Sequence, residues 1–83
     1  MPHMITEKKL INLISKSLKI DSKKLSINSN INEIEEWDSL GHLAVFFSID
    51  KETNGKASKI KKLADSKSIK NIFDQLKKNK LAK

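Results

Sequence analysis

Apolar residues fall into helical registers at three places along this chain. Leu10, Ile11, Ile14 and Leu18 recur three or four apart, with Leu13 beside them, so they line one face of a helix. Thr6 offers an N-cap oxygen and Glu7 a first-turn acid, while Lys16 and Lys19 put cations near the far end, where the helix dipole favours them. This pattern predicts a first helix over about residues 5–19. Near the other terminus Ile69, Ile72, Phe73 and Leu76 repeat at i, i+3, i+4 and i+7, behind three candidate caps, Asp65, Ser66 and Ser68. That predicts the last helix.

The middle segment is patterned differently. Leu40, Leu43, Ala44 and Phe47 form one apolar stripe, and Val45, Phe46 and Ile49 form another almost opposite. A helix seated on one core needs a single stripe. The second must lie under another element or stay open for a partner, and in so short a chain little protein is left to cover it. If Val45, Phe46 and Ile49 face the core, Leu40, Leu43 and Phe47 face outward. This helix is expected to start at Asp38 or Ser39, with Asp38 as a strong N-cap and Glu35 and Glu36 adding negative charge at its positive end. Thr53-Asn54-Gly55 should stop it, with Gly55 suited to a left-handed turn.

The connections complete the expected architecture. Residues 21–32 are rich in Ser, Asn, Asp and Lys, yet Leu25, Ile27, Ile31 and Ile34 punctuate this stretch and its exit, a spacing that pins a long loop to a core. A short strand over 24–27 has no evident second strand to pair with. Ile60, Leu63 and Ala64 suggest a short third helix. Residues 77–83 read as a frayed basic end, the last four as a tail outside the domain. Met1-Pro2-His3 reads as a cloning leader before a native Met4. The expectation is an all-α fold, a small four-helix bundle of three longer helices and one short helix, with a long loop between the first two. A single domain over residues 4–79 holds it.

Composition narrows the function. A chain of 83 residues buries a modest core and has little room for an enclosed substrate cavity, which favours a binding or carrier module over an enzyme. The absence of cysteine excludes disulfides and thiolate metal sites, and no apolar run is long enough to span a membrane. A cytoplasmic monomer is expected. The net charge of +7 raises a second function class, a basic helical module that binds nucleic acid or a protein partner. However, every cation is lysine, and arginine is the residue of bidentate base and phosphate recognition. Residues 25–50 also contain no lysine, whereas they hold Glu33, Glu35, Glu36, Asp38 and Asp50. An acidic centre between basic flanks argues against specific nucleic-acid binding.

The chemistry concentrates in Trp37-Asp38-Ser39-Leu40-Gly41-His42-Leu43. A serine in the first turn of a helix can expose its hydroxyl, and a phosphate ester there would lie near unpaired helix N–H groups. Asp38 could help hold a divalent cation against a diphosphate donor. On residue types alone, Asp38-Ser39 could equally be a capping pair. Ser39 and His42, three apart, also suggest a hydrolase, but nothing in the sequence supplies an oxyanion hole or substrate cleft. Trp37 reads as a packing residue that anchors the loop end, and His42 as a half-buried polar group or a contact to a bound arm.

With Asp38-Ser39-Leu40 as attachment motif, and Glu36-Trp37-Asp38-Ser39-Leu40-Gly41-His42-Leu43 as the form common in discrete, specialised carriers, the chain resembles the acyl carrier protein family. That family includes peptidyl and other phosphopantetheine-dependent carriers. The resemblance runs from Thr6 to about Leu76 and keeps the order of first helix, long loop, motif and final helix. It implies a non-catalytic phosphoprotein. Ser39 would carry a 4′-phosphopantetheine arm, added from coenzyme A by a separate phosphopantetheinyl transferase, and Asp38 would be its metal-assisting neighbour. The arm would hold an acyl or aminoacyl cargo as a thioester for the loading and processing enzymes of a fatty-acid, polyketide or other specialised pathway. Leu40, Leu43 and Phe47 match partner-facing positions, with Glu35 and Glu36 at their edge. Two departures bear on the partners rather than on the attachment. Members are usually acidic overall, and their second helix ends in several acids and an aromatic, where this chain has Asp50-Lys51-Glu52-Thr53. A pathway-specific carrier is therefore expected over a general fatty-acid one.

Overall fold

The computed structural model describes residues 4–63 and 65–82. Residues 1–3, read above as a leader, Ala64 of the expected short helix and Lys83 of the expected tail lie outside the described residues. The described chain is mostly helical, with α1 at Glu7–Leu18, α2 at Ser39–Glu52 and α3 at Ile69–Lys78. Each helix starts on a side-chain cap that removes one orphan N–H: Thr6 accepts from Lys9, Asp38 from Gly41, and Ser68 from Asn71. Of the three candidate caps before α3, Ser68 is the one used. All-α is the fold class. Among the described residues no strand forms, only isolated bridges between Ile5 and Ala82 and between Asn30 and Ser68.

The four-helix expectation is corrected to three α-helices among the described residues. In place of the short third helix stands a series of tight turns, with 3₁₀ geometry at Ala57–Lys59. Its bonds span three residues: Ile60 N–H to Ala57 C=O at 3.0 Å, Leu63 to Ile60 at 3.1 Å, and Ser66 to Leu63 at 3.1 Å. Ala57, Ile60, Leu63 and Ser66 are accordingly buried, one every three residues. That repeat belongs to a 3₁₀-like path, in which side chains three apart eclipse, rather than to an α-helix.

α1 and α2 run in opposite directions. Lys9 near the start of α1 pairs with Glu52 at the end of α2 (3.4 Å), and Leu18 at the end of α1 meets Gly41 in the first turn of α2. Leu10, Ile14 and Leu18 of α1, Val45 and Ile49 of α2, and Ile69, Ile72 and Leu76 of α3 form the core. The long loop packs on this core through buried Leu25 and Trp37 and half-buried Ile27, Ile31 and Ile34. It contains a 3₁₀ turn at Ser22–Lys24, and no strand forms over 24–27. The frayed end expected from residue 77 is not what the described residues show. After α3 the chain turns back, Leu81 N–H bonds to Leu76 C=O, Ile5 N–H bonds to Leu81 C=O at 2.8 Å, and Ala82 is buried. No helix among the described residues is long and apolar enough to cross a membrane.

Candidate functional site

The start of α2 gathers the residues singled out in the sequence. Asp38 has extended backbone geometry and its Oδ1 accepts from Gly41 N–H at 2.8 Å, so it is the N-cap and Ser39 is the first helical residue. The cap occupies one carboxylate oxygen and leaves Oδ2 available to a cation. Ser39 is exposed, and among the described residues its hydroxyl has no hydrogen-bond partner.

Two features hold this helix start in place. Trp37 is 1% exposed; its amide donates to Ile34 C=O at 3.0 Å, and its indole Nε1–H donates to His42 Nδ1 at 3.0 Å. The loop end is thereby strapped to the first turn of α2, with Asp38 and Ser39 between the two ring-bearing residues. His42 Nδ1 accepts from Trp37, and among the described residues no hydrogen bond joins His42 to Ser39. Gly41 allows the loop to approach α2. A Cβ there would collide with the Glu36 carbonyl and lie 2.8 Å from Leu18 Cδ2.

The expected orientation of α2 is the observed one. Leu40, Leu43 and Phe47 are 78%, 52% and 63% exposed, whereas Val45 and Ile49 are each 1% exposed. Phe46 is half-buried against the core, less deeply than its stripe suggests. Glu33, Glu35 and Glu36 are all exposed at the same end. The outward stripe therefore begins beside Ser39, with carboxylates around its start.

Ser39 also borders an open cleft of about 560 Å³, lined by Ile31, Asn32, Trp37, Asp38, Ser39, His42, Asp65 and Lys67. Of these, Ile31, Asn32, Asp65 and Lys67 escaped the sequence reading as site residues. The last two stand just before α3, far from Ser39 in the chain, and no local pattern marks them. Backbone hydrogen bonding between the long loop and the α3 entry brings them in: Ile31 N–H to Lys67 C=O at 2.7 Å and Ile69 N–H to Ser29 C=O at 3.0 Å.

Among the described residues no group of three or more His, Asp or Glu side chains is placed to hold a metal ion. A cation at Asp38 would need most of its ligands from another molecule, such as a diphosphate. In comparisons with known proteins, no family model matches the chain, and neither does any curated protein or solved structure.

Proposed function

We propose that this protein is a carrier of the acyl-carrier type, with a 4′-phosphopantetheine arm on Ser39, and that it performs no catalysis of its own. The observation that carries this reading is the setting of Ser39: an exposed hydroxyl at the first residue of a helix, next to a carboxylate with one oxygen to spare, at the meeting point of a cleft and an outward apolar stripe. The surroundings fit the arm. Ser39 is exposed, the cleft gives the arm a surface to lie on, and a helix N-terminus suits an attached phosphate.

The arm supplies a thiol, which this cysteine-free chain lacks, to hold an acyl or aminoacyl cargo as a thioester. The chain's residues act in its attachment and presentation. Ser39 Oγ bonds to the pantetheine-bearing phosphorus of coenzyme A, the phosphoanhydride bond there breaks, and 3′,5′-ADP leaves. The hydroxyl proton goes to a base on the transferase. Asp38, through the oxygen that the cap leaves free, would help hold a divalent cation, which would neutralise the donor diphosphate. Trp37, His42 and Gly41 fix the helix start, so that Ser39 is offered in one geometry.

Presentation falls to Leu40, Leu43 and Phe47. Apolar anchors of this size dominate docking energies when buried by a partner, whereas rim charges such as Glu35 and Glu36 chiefly steer and orient the encounter. The partners are a phosphopantetheinyl transferase and the loading and processing enzymes of a fatty-acid, polyketide or other specialised pathway. Incubation with coenzyme A, Mg²⁺ and a promiscuous transferase, read by intact mass, tests the reading. One arm on wild-type protein supports it, and an unchanged mass rejects it.

A further inference from the structure

Lysine is missing from residues 25–50, where Glu33, Glu35, Glu36, Asp38 and Asp50 gather. The fold alters that local balance. The bonds from Ile31 N–H to Lys67 C=O and from Ile69 N–H to Ser29 C=O lie on either side of the Asn30–Ser68 bridge. They fix the backbone of Lys67 against the loop that leads to Ser39. Among the described residues Lys67 is the one lysine that lines the cleft beside Ser39, which two acids, Asp38 and Asp65, also line. Among the described residues no carboxylate pairs with its exposed ammonium.

We infer that Lys67 is the cation that holds the phosphodiester carried on Ser39; this rests on the carrier reading above. The charges that line the cleft favour such a group. Two carboxylates and one ammonium among its lining side chains give a formal charge of −1, so a diester added at Ser39 meets net repulsion unless the ammonium is drawn to it. The helix N-terminus offers only part of its usual help, because Asp38 Oδ1 already takes the Gly41 N–H. An ammonium on a flexible stem, anchored at its backbone, can swing to the phosphate and make a charge-assisted hydrogen bond. The arm's first atoms are then held against the cleft while its thiol end stays mobile.

The experiment uses full-length protein loaded with coenzyme A, Mg²⁺ and a promiscuous transferase. Wild type, Lys67→Gln, Lys67→Arg and Lys78→Gln are compared, the last as a charge control at the far end of α3. Intact mass establishes the arm on each, and the phosphorus-31 resonance of the diester is recorded at low and high salt. In wild type and Lys78→Gln the resonance should move as salt screens the contact. Lys67→Gln should show the high-salt position already at low salt and stay there, and Lys67→Arg should follow wild type. A Lys67→Gln resonance that superimposes on wild type at low salt, with the arm present by mass, overturns the assignment of Lys67 alone. No mass gain on wild type overturns the carrier reading and this inference with it.

Discussion

Trp37 and His42 are joined by a hydrogen bond from the indole Nε1–H to the imidazole Nδ1, 3.0 Å long, with ring centroids 6.1 Å apart. An accepting Nδ1 places the imidazole proton on Nε2. The bond crosses the boundary between loop and helix, so it couples the buried anchor of the loop to the turn that carries Ser39. A double-mutant cycle with Trp37→Phe and His42→Ala should give a coupling of about 1 kcal/mol, the net worth of one such bond. Urea unfolding of the two single variants and the double variant measures it. Strictly additive losses would mean that the bond does not hold the helix start.

The faces of α2 should separate in stability measurements. Ile49→Val opens a small cavity in the core and should cost about 0.5–1.5 kcal/mol, which an 83-residue domain can survive; Ile49→Ala should cost about 2–5 kcal/mol. Phe47→Ala removes a larger side chain from an exposed site and should change stability by no more than about 0.5 kcal/mol. Its loss should instead show in the rate of arm transfer, where it should exceed the loss from Glu35→Gln. Denaturant titration and transfer kinetics on the same samples decide the matter. If Phe47→Ala unfolds the domain and Ile49→Ala does not, the helix is turned the other way.

Gly41→Ala should reverse a common rule. Replacing a helical glycine by alanine ordinarily stabilises by about 1 kcal/mol through helix propensity. Here the added methyl would strike the Glu36 carbonyl and crowd Leu18, so either the loop moves or the helix start frays. The melting temperature should fall, and Trp37 fluorescence should change with it, because the displaced segment adjoins the indole. A higher melting temperature with unchanged fluorescence would show that the loop does not approach α2 so closely.

Much of the fold was legible because its cues are local. Thr6, Asp38 and Ser68 each cap the helix that follows, and the i, i+3, i+4 spacing of α1 and α3 matches their buried faces. The two stripes of α2 also revealed which side would face outward, once one of them was assigned to the core. The short helix was misread because Ile60 and Leu63, three apart, fit both an α-helix and a three-residue turn. Buried Ala57 and Ser66 extend the spacing of three in both directions, which settles it. The site divides in the same way. Asp38, Ser39 and the stripe were visible in one segment, whereas Lys67 and Asp65 reach the cleft through hydrogen bonds between distant stretches of backbone, and no periodicity encodes those.

The lysine surface should bind nucleic acid only weakly and without sequence preference. Lysine without arginine gives charge attraction but little bidentate base recognition. Any binding at low salt should fall steeply as counterions compete, and should not distinguish duplexes of different sequence. Fluorescence anisotropy with several labelled duplexes and single strands across a salt series measures this. Tight, sequence-selective binding near physiological salt would favour the basic-module alternative.

The attachment of the arm is the most direct test. Wild type and Ser39→Ala are incubated with coenzyme A, Mg²⁺ and a promiscuous transferase, then compared by intact mass and by peptide mapping. Wild type should gain the mass of one 4′-phosphopantetheine, located on the peptide that contains Ser39. Ser39→Ala should gain nothing and keep its helical circular dichroism, because Asp38 still caps α2. No gain on folded wild-type protein, or a gain that persists in Ser39→Ala, would contradict the assignment.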